Sequence, residues 1–141
     1  MRLYIDTSAL LKRYVSEEGS DRLDAIMGTA DEIVVSAITE LELCSALRRL
    51  LANRVVNADG YRTVLNEFGT DYPSFVCVPF DDVVADNAKA LIDAHQLRTL
   101  DSIQLGAALA VRDEIDCFVA CDAKLATAAR KAGLKVFNPL S

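Results

Sequence analysis

The sequence contains no CxxC pair and a single histidine, His95, which is remote from all four cysteines, Cys44, Cys77, Cys117 and Cys121. That pattern offers no zinc site. Each cysteine sits among apolar residues, as in Phe75-Val-Cys-Val-Pro79, which predicts reduced thiols buried in a core. No window approaches the roughly 18 consecutive apolar residues of a membrane span. The opening apolar run is broken by Asp6, Lys12 and Arg13, so it does not read as a signal peptide, and a cytoplasmic location is expected. Walker A, GxGxxG, GxSxG and HExxH motifs are absent. His95 is read as a surface or helix-end residue rather than a general base. Basic residues are also short: 15 Lys and Arg against 21 Asp and Glu give a formal net charge of −6. Generic electrostatic binding of nucleic acid needs a basic face and is disfavoured.

What is present suits one folded domain. The 141 residues are 52% hydrophobic and 26% charged, without low-complexity tracts, repeats or a domain-separating linker. At this length folding buries roughly 70% of the unfolded chain's surface, enough for a sizeable core. Five short apolar runs read as buried parallel strands: Leu3–Ile5, Glu32–Ser36, Phe75–Pro79, Cys117–Cys121 and Lys135–Phe137. Helical patterns separate them at Ser8–Val15, Ser20–Met27, Ile38–Asn53, Ala58–Phe68, Val83–His95, Ser102–Arg112 and Ala123–Ala132, with Gly133 placed to end the last. This alternation predicts an α/β fold with crossover helices on both faces of a parallel sheet. Ligands of such sheets sit beyond the carboxyl ends of the strands.

Acids occupy those ends. Asp6 directly follows the first strand, with Thr7 and Ser8 beside it. Asp122 follows the fourth strand and precedes a helix, and Asp101 opens the helix Ser102–Arg112. The helix after the second strand offers both Glu40 and Glu42. Each aspartate taken singly also fits a helix N-cap, and Asp101 with Gln104 resembles a capping box. Asp21, Asp81, Asp82 and Asp86 are assigned to caps or solvated helix faces, and Glu17 and Glu18 to solvent. The set differs from its members. Asp6, Asp101 and Asp122 adjoin strongly apolar segments, so partly buried carboxylates are expected, and these are costly without a counter-ion. Carboxylates brought together raise one another's pKa unless a cation compensates. Hard oxygen donors suit Mg²⁺ or Mn²⁺, which bind phosphates and activate water. A negative net charge is compatible with such a site, because the bound ion reverses the local field.

Four segments carry a family resemblance. Leu3-Tyr-Ile-Asp6-Thr-Ser-Ala-Leu10, Ser36-Ala-Ile-Thr39-Glu-Leu-Glu42-Leu-Cys-Ser-Ala46-Leu47, Leu97-Arg-Thr-Leu-Asp101-Ser-Ile-Gln-Leu105 and Phe118-Val-Ala-Cys-Asp122-Ala-Lys-Leu125 resemble, in order, the motifs of the PIN-domain family and its VapC-type toxins. The resemblance spans nearly the whole chain, and its second motif selects Glu42 over Glu40. It implies a three-layer α/β/α sandwich with a five-stranded parallel sheet. It also implies a metal-dependent endoribonuclease using Asp6, Glu42, Asp101 and Asp122 with Mg²⁺ or Mn²⁺. Implied partners are an RNA substrate such as transfer or ribosomal RNA, a cognate antitoxin, and a second copy of the chain in a homodimer. One position departs from the pattern: Ala120 stands where the family often has Thr or Ser.

Thr7 and Ser8 are placed to hydrogen-bond ligand carboxylates or metal-bound water. Lys12, Arg13, Arg98 and Lys124 are candidate contacts to RNA phosphates, Arg98 first among them, and all four otherwise read as solubilising charge. Two other readings compete. In one, Asp6 is the covalent nucleophile of a phosphatase or phosphotransferase, although no second Asp stands two residues on. In the other, the fold is a non-catalytic module that binds RNA or protein.

Overall fold

The computed structural model describes all 141 residues. Five parallel strands, β1 (Arg2–Ile5), β2 (Glu32–Ser36), β3 (Val76–Val78), β4 (Cys117–Val119) and β5 (Val136–Phe137), form one sheet in the order β3-β2-β1-β4-β5. The expected strand positions hold, with β3, β4 and β5 shorter than their apolar runs. The crossovers are α1 (Thr7–Leu10) and α2 (Ser20–Met27), then α3 (Thr39–Ala52) and α4 (Ala58–Asp71), then α5 (Asp82–His95) and α6 (Thr99–Ala110), and finally α7 (Ala123–Lys131).

Strand alternation builds two cores from one sheet. Tyr4, Val34 and Phe118 face α5, α6 and α7 through Val84, Leu91, Leu105 and Leu125. Their neighbours Leu3, Ile5, Val35 and Val119 face the other way, against Leu10, Leu23, Leu43 and Phe68 of α1 to α4. The result is the expected α/β/α sandwich. The chain winds outward from β1 to β3 and then returns to the other side for β4. Right-handed crossovers therefore put the first four helices on one face and the last three on the other. The reversal lies between β1 and β4, the switch point at which open sheets of this type leave a crevice.

Several local expectations need correction. The first helix is only α1, followed by a 3-10 turn at Leu11–Arg13. The tighter turn carries Lys12 inward, where it is buried rather than solvated. Helix α6 begins at Thr99, so the cap position falls to Arg98, and Asp101 lies inside the first turn instead of opening the helix. The cysteines are not core residues: Cys77 is exposed and the other three are half-buried, all as free thiols. Cys77 lies on β3, an edge strand where the outer flank has no neighbour. Gly133 ends α7 as expected, with φ of 95° and its N–H on the Arg130 carbonyl.

Helices α5 and α6 pack tightly at Gly106. A methyl group there would lie 3.1 Å from the Val84 carbonyl oxygen and 3.2 Å from the Ala88 nitrogen. The Asn87 amide donates to the Gly106 carbonyl at 3.0 Å across the same contact. This close approach fixes the first turn of α6, and with it Asp101, above the sheet.

Candidate active site

Asp6 is the last link of β1. Its N–H donates to the Val119 carbonyl at 2.9 Å, so the ladder between β1 and β4 continues to the switch point. Its backbone is extended and occupies the cap position of α1, yet its side chain caps nothing. The carboxylate instead accepts from the Ser8 hydroxyl at 2.7 Å. Asp6 is 5% exposed, and none of the chain's ion pairs involves it. Burial pushes its pKa up to about 7, and the charges of Glu42 and Asp101 push the same way against the Ser8 hydrogen bond.

Glu42 stands in the first turn of α3, half-buried, whereas Glu40 points to solvent. Thr7 donates its hydroxyl to Glu42 Oε1 at 2.8 Å. Gln104 of α6 donates to the same oxygen at 2.6 Å. Gln104 is fully buried and also reaches Thr7 Oγ1 at 3.0 Å and Thr39 Oγ1 at 3.4 Å, while its carbonyl accepts from the Tyr4 hydroxyl at 2.8 Å. The capping-box reading of Asp101 and Gln104 is therefore wrong. Residue 104 is a hub joining β1, α1, α3 and α6. Its signal in the sequence is an amide in an otherwise apolar or small stretch, Leu105-Gly-Ala-Ala108, which is buried throughout. Burial and the nearby Asp6 charge raise the Tyr4 pKa well above its ordinary value, so Tyr4 stays a donor.

Asp101 pairs with Arg98, three residues earlier, at 3.3 Å, and it is the less exposed partner at 21% against 82%. Asp122 caps α7, accepting from the Leu125 N–H at 2.9 Å. The plain structural role foreseen for an aspartate in this place is thus realised there. Ala120, two residues earlier, is fully buried. Of the other basic candidates, Lys12 is held by Glu17 at 3.0 Å, Arg13 lies 3.4 Å from Asp24, and Lys124 donates to the Gln96 carbonyl. Glu17 is accordingly an ion-pair partner, not a free surface charge. A recess of about 260 Å³ is lined by Glu42, alone of the four acids, with Thr7, Ser8, Lys12 and Arg49 among its other residues.

All four acids therefore lie at the carboxyl end of the sheet, and two of them act electrostatically on Asp6. As the side chains stand, no group of three or more His, Cys, Asp or Glu residues forms a metal-holding arrangement. Each carboxylate is engaged by a protein donor: Ser8, Thr7 with Gln104, Arg98, or the Leu125 N–H. The donor chemistry nevertheless fits a hard divalent cation, since Asp6, Glu42 and Asp101 offer only oxygen and Asp6 is a buried carboxylate without a positive partner.

Comparison with known proteins identifies the fold and the family. Residues 3–131 match the PIN domain family. Ribonuclease VapC45 of Mycobacterium tuberculosis is 30% identical over 138 residues, covering 95% of this chain and 93% of that protein. Among solved structures, FitAcB from Neisseria gonorrhoeae superposes with a TM-score of 0.70 at 19% identity, with 97% of both chains covered. A toxin-antitoxin complex from Klebsiella pneumoniae gives 0.69 at 17% identity, again covering 97% of each chain. Because the matched span runs from β1 through α7, nearly the whole chain, the chain belongs to the PIN domain family.

Proposed function

We propose that this protein is a Mg²⁺- or Mn²⁺-dependent endoribonuclease, acting as the toxin of a VapBC-type toxin–antitoxin pair. The observation that carries the reading is Asp6: a carboxylate buried at the switch point, unpaired by any cation, and raised to about 7 by burial and by Glu42 and Asp101. Such a group is costly in the metal-free fold and is relieved by a divalent ion. The relatives that align over nearly the whole chain are named ribonucleases, which supports RNA as the substrate class.

In this reading Asp6, Glu42, Asp101 and Asp122 hold the ion. Once bound, it supplies an activated water and stabilises charge on the phosphate oxygens. The chain's own residues do the positioning. Ser8 orients Asp6, and Thr7 orients Glu42. Arg98, exposed beside Asp101, is placed to meet an RNA phosphate. Substrates are structured RNAs such as transfer or ribosomal RNA, acting partners are a cognate antitoxin and a second copy of the chain, and the place of action is the cytoplasm. No helix is long and apolar enough to cross a membrane.

The covalent phosphatase reading requires an acid–base partner near Asp6, and the residue two positions on is Ser8, whose hydroxyl donates to Asp6. The test of the nuclease reading is incubation of purified protein with total RNA and Mg²⁺ or Mn²⁺, against Asp6→Asn. Metal-dependent fragments from the wild type alone are expected. No fragments, or equal fragments from both proteins, would overturn the reading.

A further inference from the structure

We propose that Gln104 is a positioning residue for the acidic site, fixing one oxygen of Glu42 so that the other is left for the crevice. The proposal rests on the nuclease reading above and extends it to a residue outside the four acids. Two donors meet Glu42 Oε1, the Gln104 amide at 2.6 Å and the Thr7 hydroxyl at 2.8 Å, while Oε2 has no protein donor.

The amide orientation is forced by its surroundings. Were Oε1 and Nε2 of Gln104 exchanged, a carbonyl oxygen would face the Glu42 carboxylate with both groups acceptors. With Nε2 toward Glu42, the Gln104 carbonyl accepts from Tyr4 at 2.8 Å, and no buried side-chain polar atom is left without a partner. Thr39, at the start of α3, lies 3.4 Å from Nε2 and itself accepts from the Ser36 N–H at 3.1 Å. The amide thus spans α6 to both the start of α3 and its catalytic-face glutamate, which sets the rotation of α3 above the sheet. Of the four partners of this fully buried amide, the shortest contact goes to the Glu42 carboxylate at 2.6 Å, ahead of Tyr4, Thr7 and Thr39. An apolar side chain of the same volume would take the acceptor from the buried Tyr4 hydroxyl and one donor from Glu42 Oε1.

The test uses Gln104→Glu, which keeps size and turns the donor into an acceptor, and Gln104→Met, which keeps bulk and removes both. Val64→Ala, a buried position on α4, serves as a control for lost stability. Rates are measured on an RNA hairpin carrying a cut site mapped in total RNA. In both Gln104 variants kcat is expected to fall about 10- to 100-fold with KM within about threefold, while Val64→Ala keeps the wild-type rate. The second readout is metal-free. The side-chain amide protons of Gln104 should resonate downfield and exchange slowly, and Glu42→Ala should abolish both features.

A Gln104→Met rate within twofold of wild type would overturn the proposal, as would a loss confined to KM. So would ordinary, fast-exchanging amide signals. If wild-type protein cuts no RNA, the nuclease reading fails separately and the amide signals alone decide the Gln104–Glu42 link. The same signals decide it if the Gln104 variants do not fold.

Discussion

The hydroxyl of Thr7 lies 2.8 Å from Oε1 of Glu42, 35 residues further along the chain. This bond joins the first turn after β1 to the first turn of α3, so two of the acidic motifs are registered by a neutral side chain. Thr7 is 5% exposed and also accepts from Gln104. Thr7→Val keeps the shape and deletes the hydroxyl, removing one of the two donors to Glu42 Oε1 and one acceptor of the Gln104 amide. It should cost about 1–3 kcal/mol in stability and lower RNA cleavage about 10- to 100-fold. Thr7→Ser should retain most of both. Thermal melting beside single-turnover cleavage checks this, and equal behaviour of Val and Ser would remove the hydroxyl from the account.

Glu40 and Glu42 differ by two positions on one helix, and 200° of rotation at 3.6 residues per turn separates their directions. Glu40 is exposed, while Glu42 is half-buried and doubly hydrogen-bonded. Glu42→Gln should reduce cleavage on the order of 100-fold, with Glu40→Gln within about twofold of wild type. Equal losses would show that α3 presents a different face to the substrate.

The raised pKa of Asp6 makes metal-free stability depend on pH. Its ordinary value is 3.8 and its folded value about 7. Between these limits the folded state holds a proton that the unfolded chain has released. Stability from this group is therefore fully present below about pH 4 and is lost as pH rises to about 7. Asp6→Asn lacks the titration. Its metal-free melting curve should match wild type near pH 4 and exceed it at pH 8 by roughly 2–4 kcal/mol. Mn²⁺ at pH 8 should raise the melting temperature of wild type and not of Asp6→Asn. Parallel pH curves for the two proteins would mean that Asp6 is not the strained group.

The positions of Asp6 and Asp122 were legible because short apolar runs end immediately before or near them, and a parallel sheet presents its strand ends together. The five strands were legible as continuous apolar runs and the crossovers as the helical patterns between them, and side-chain alternation along the strands then sends Tyr4 and Leu3 into opposite cores. Three features were not legible. Gln104 resembled a cap because its partners lie 62 to 100 residues away, and only tertiary closure brings them to it. Lys12 resembled surface charge because a 3-10 turn, not an α-helix, sets its direction. Cys77 resembled core because its neighbours are apolar, but local apolarity does not reveal that β3 is an edge strand.

Arg98 has the opposite exposure from its partner, standing in solvent while Asp101 is mostly covered. An exposed pair of this kind adds little stability, so Arg98→Gln should leave the melting temperature within about 2 °C. If the guanidinium meets RNA, the variant should raise KM and reduce the slope of log affinity against log salt by about 1. Fluorescence anisotropy with a labelled RNA at several salt concentrations reads the slope directly. An unchanged slope would return Arg98 to a purely local role beside Asp101.

Asp122 caps α7, the proposed function makes it a cation ligand as well, and amide substitution separates the two roles. Its Oδ1 accepts from the Leu125 N–H at 2.9 Å, a bond that Asn can reproduce and Ala cannot. Asp122→Asn should therefore keep wild-type stability, whereas Asp122→Ala should lose about 1 kcal/mol as the first turn of α7 frays. If the carboxylate also serves the cation, both variants should lose cleavage, because the amide supplies a cap but no negative charge. Melting and cleavage measured on the same preparations separate the roles. Full activity in Asp122→Asn would confine Asp122 to capping, and would reduce the acidic set to Asp6, Glu42 and Asp101, the three residues already coupled through the charge on Asp6.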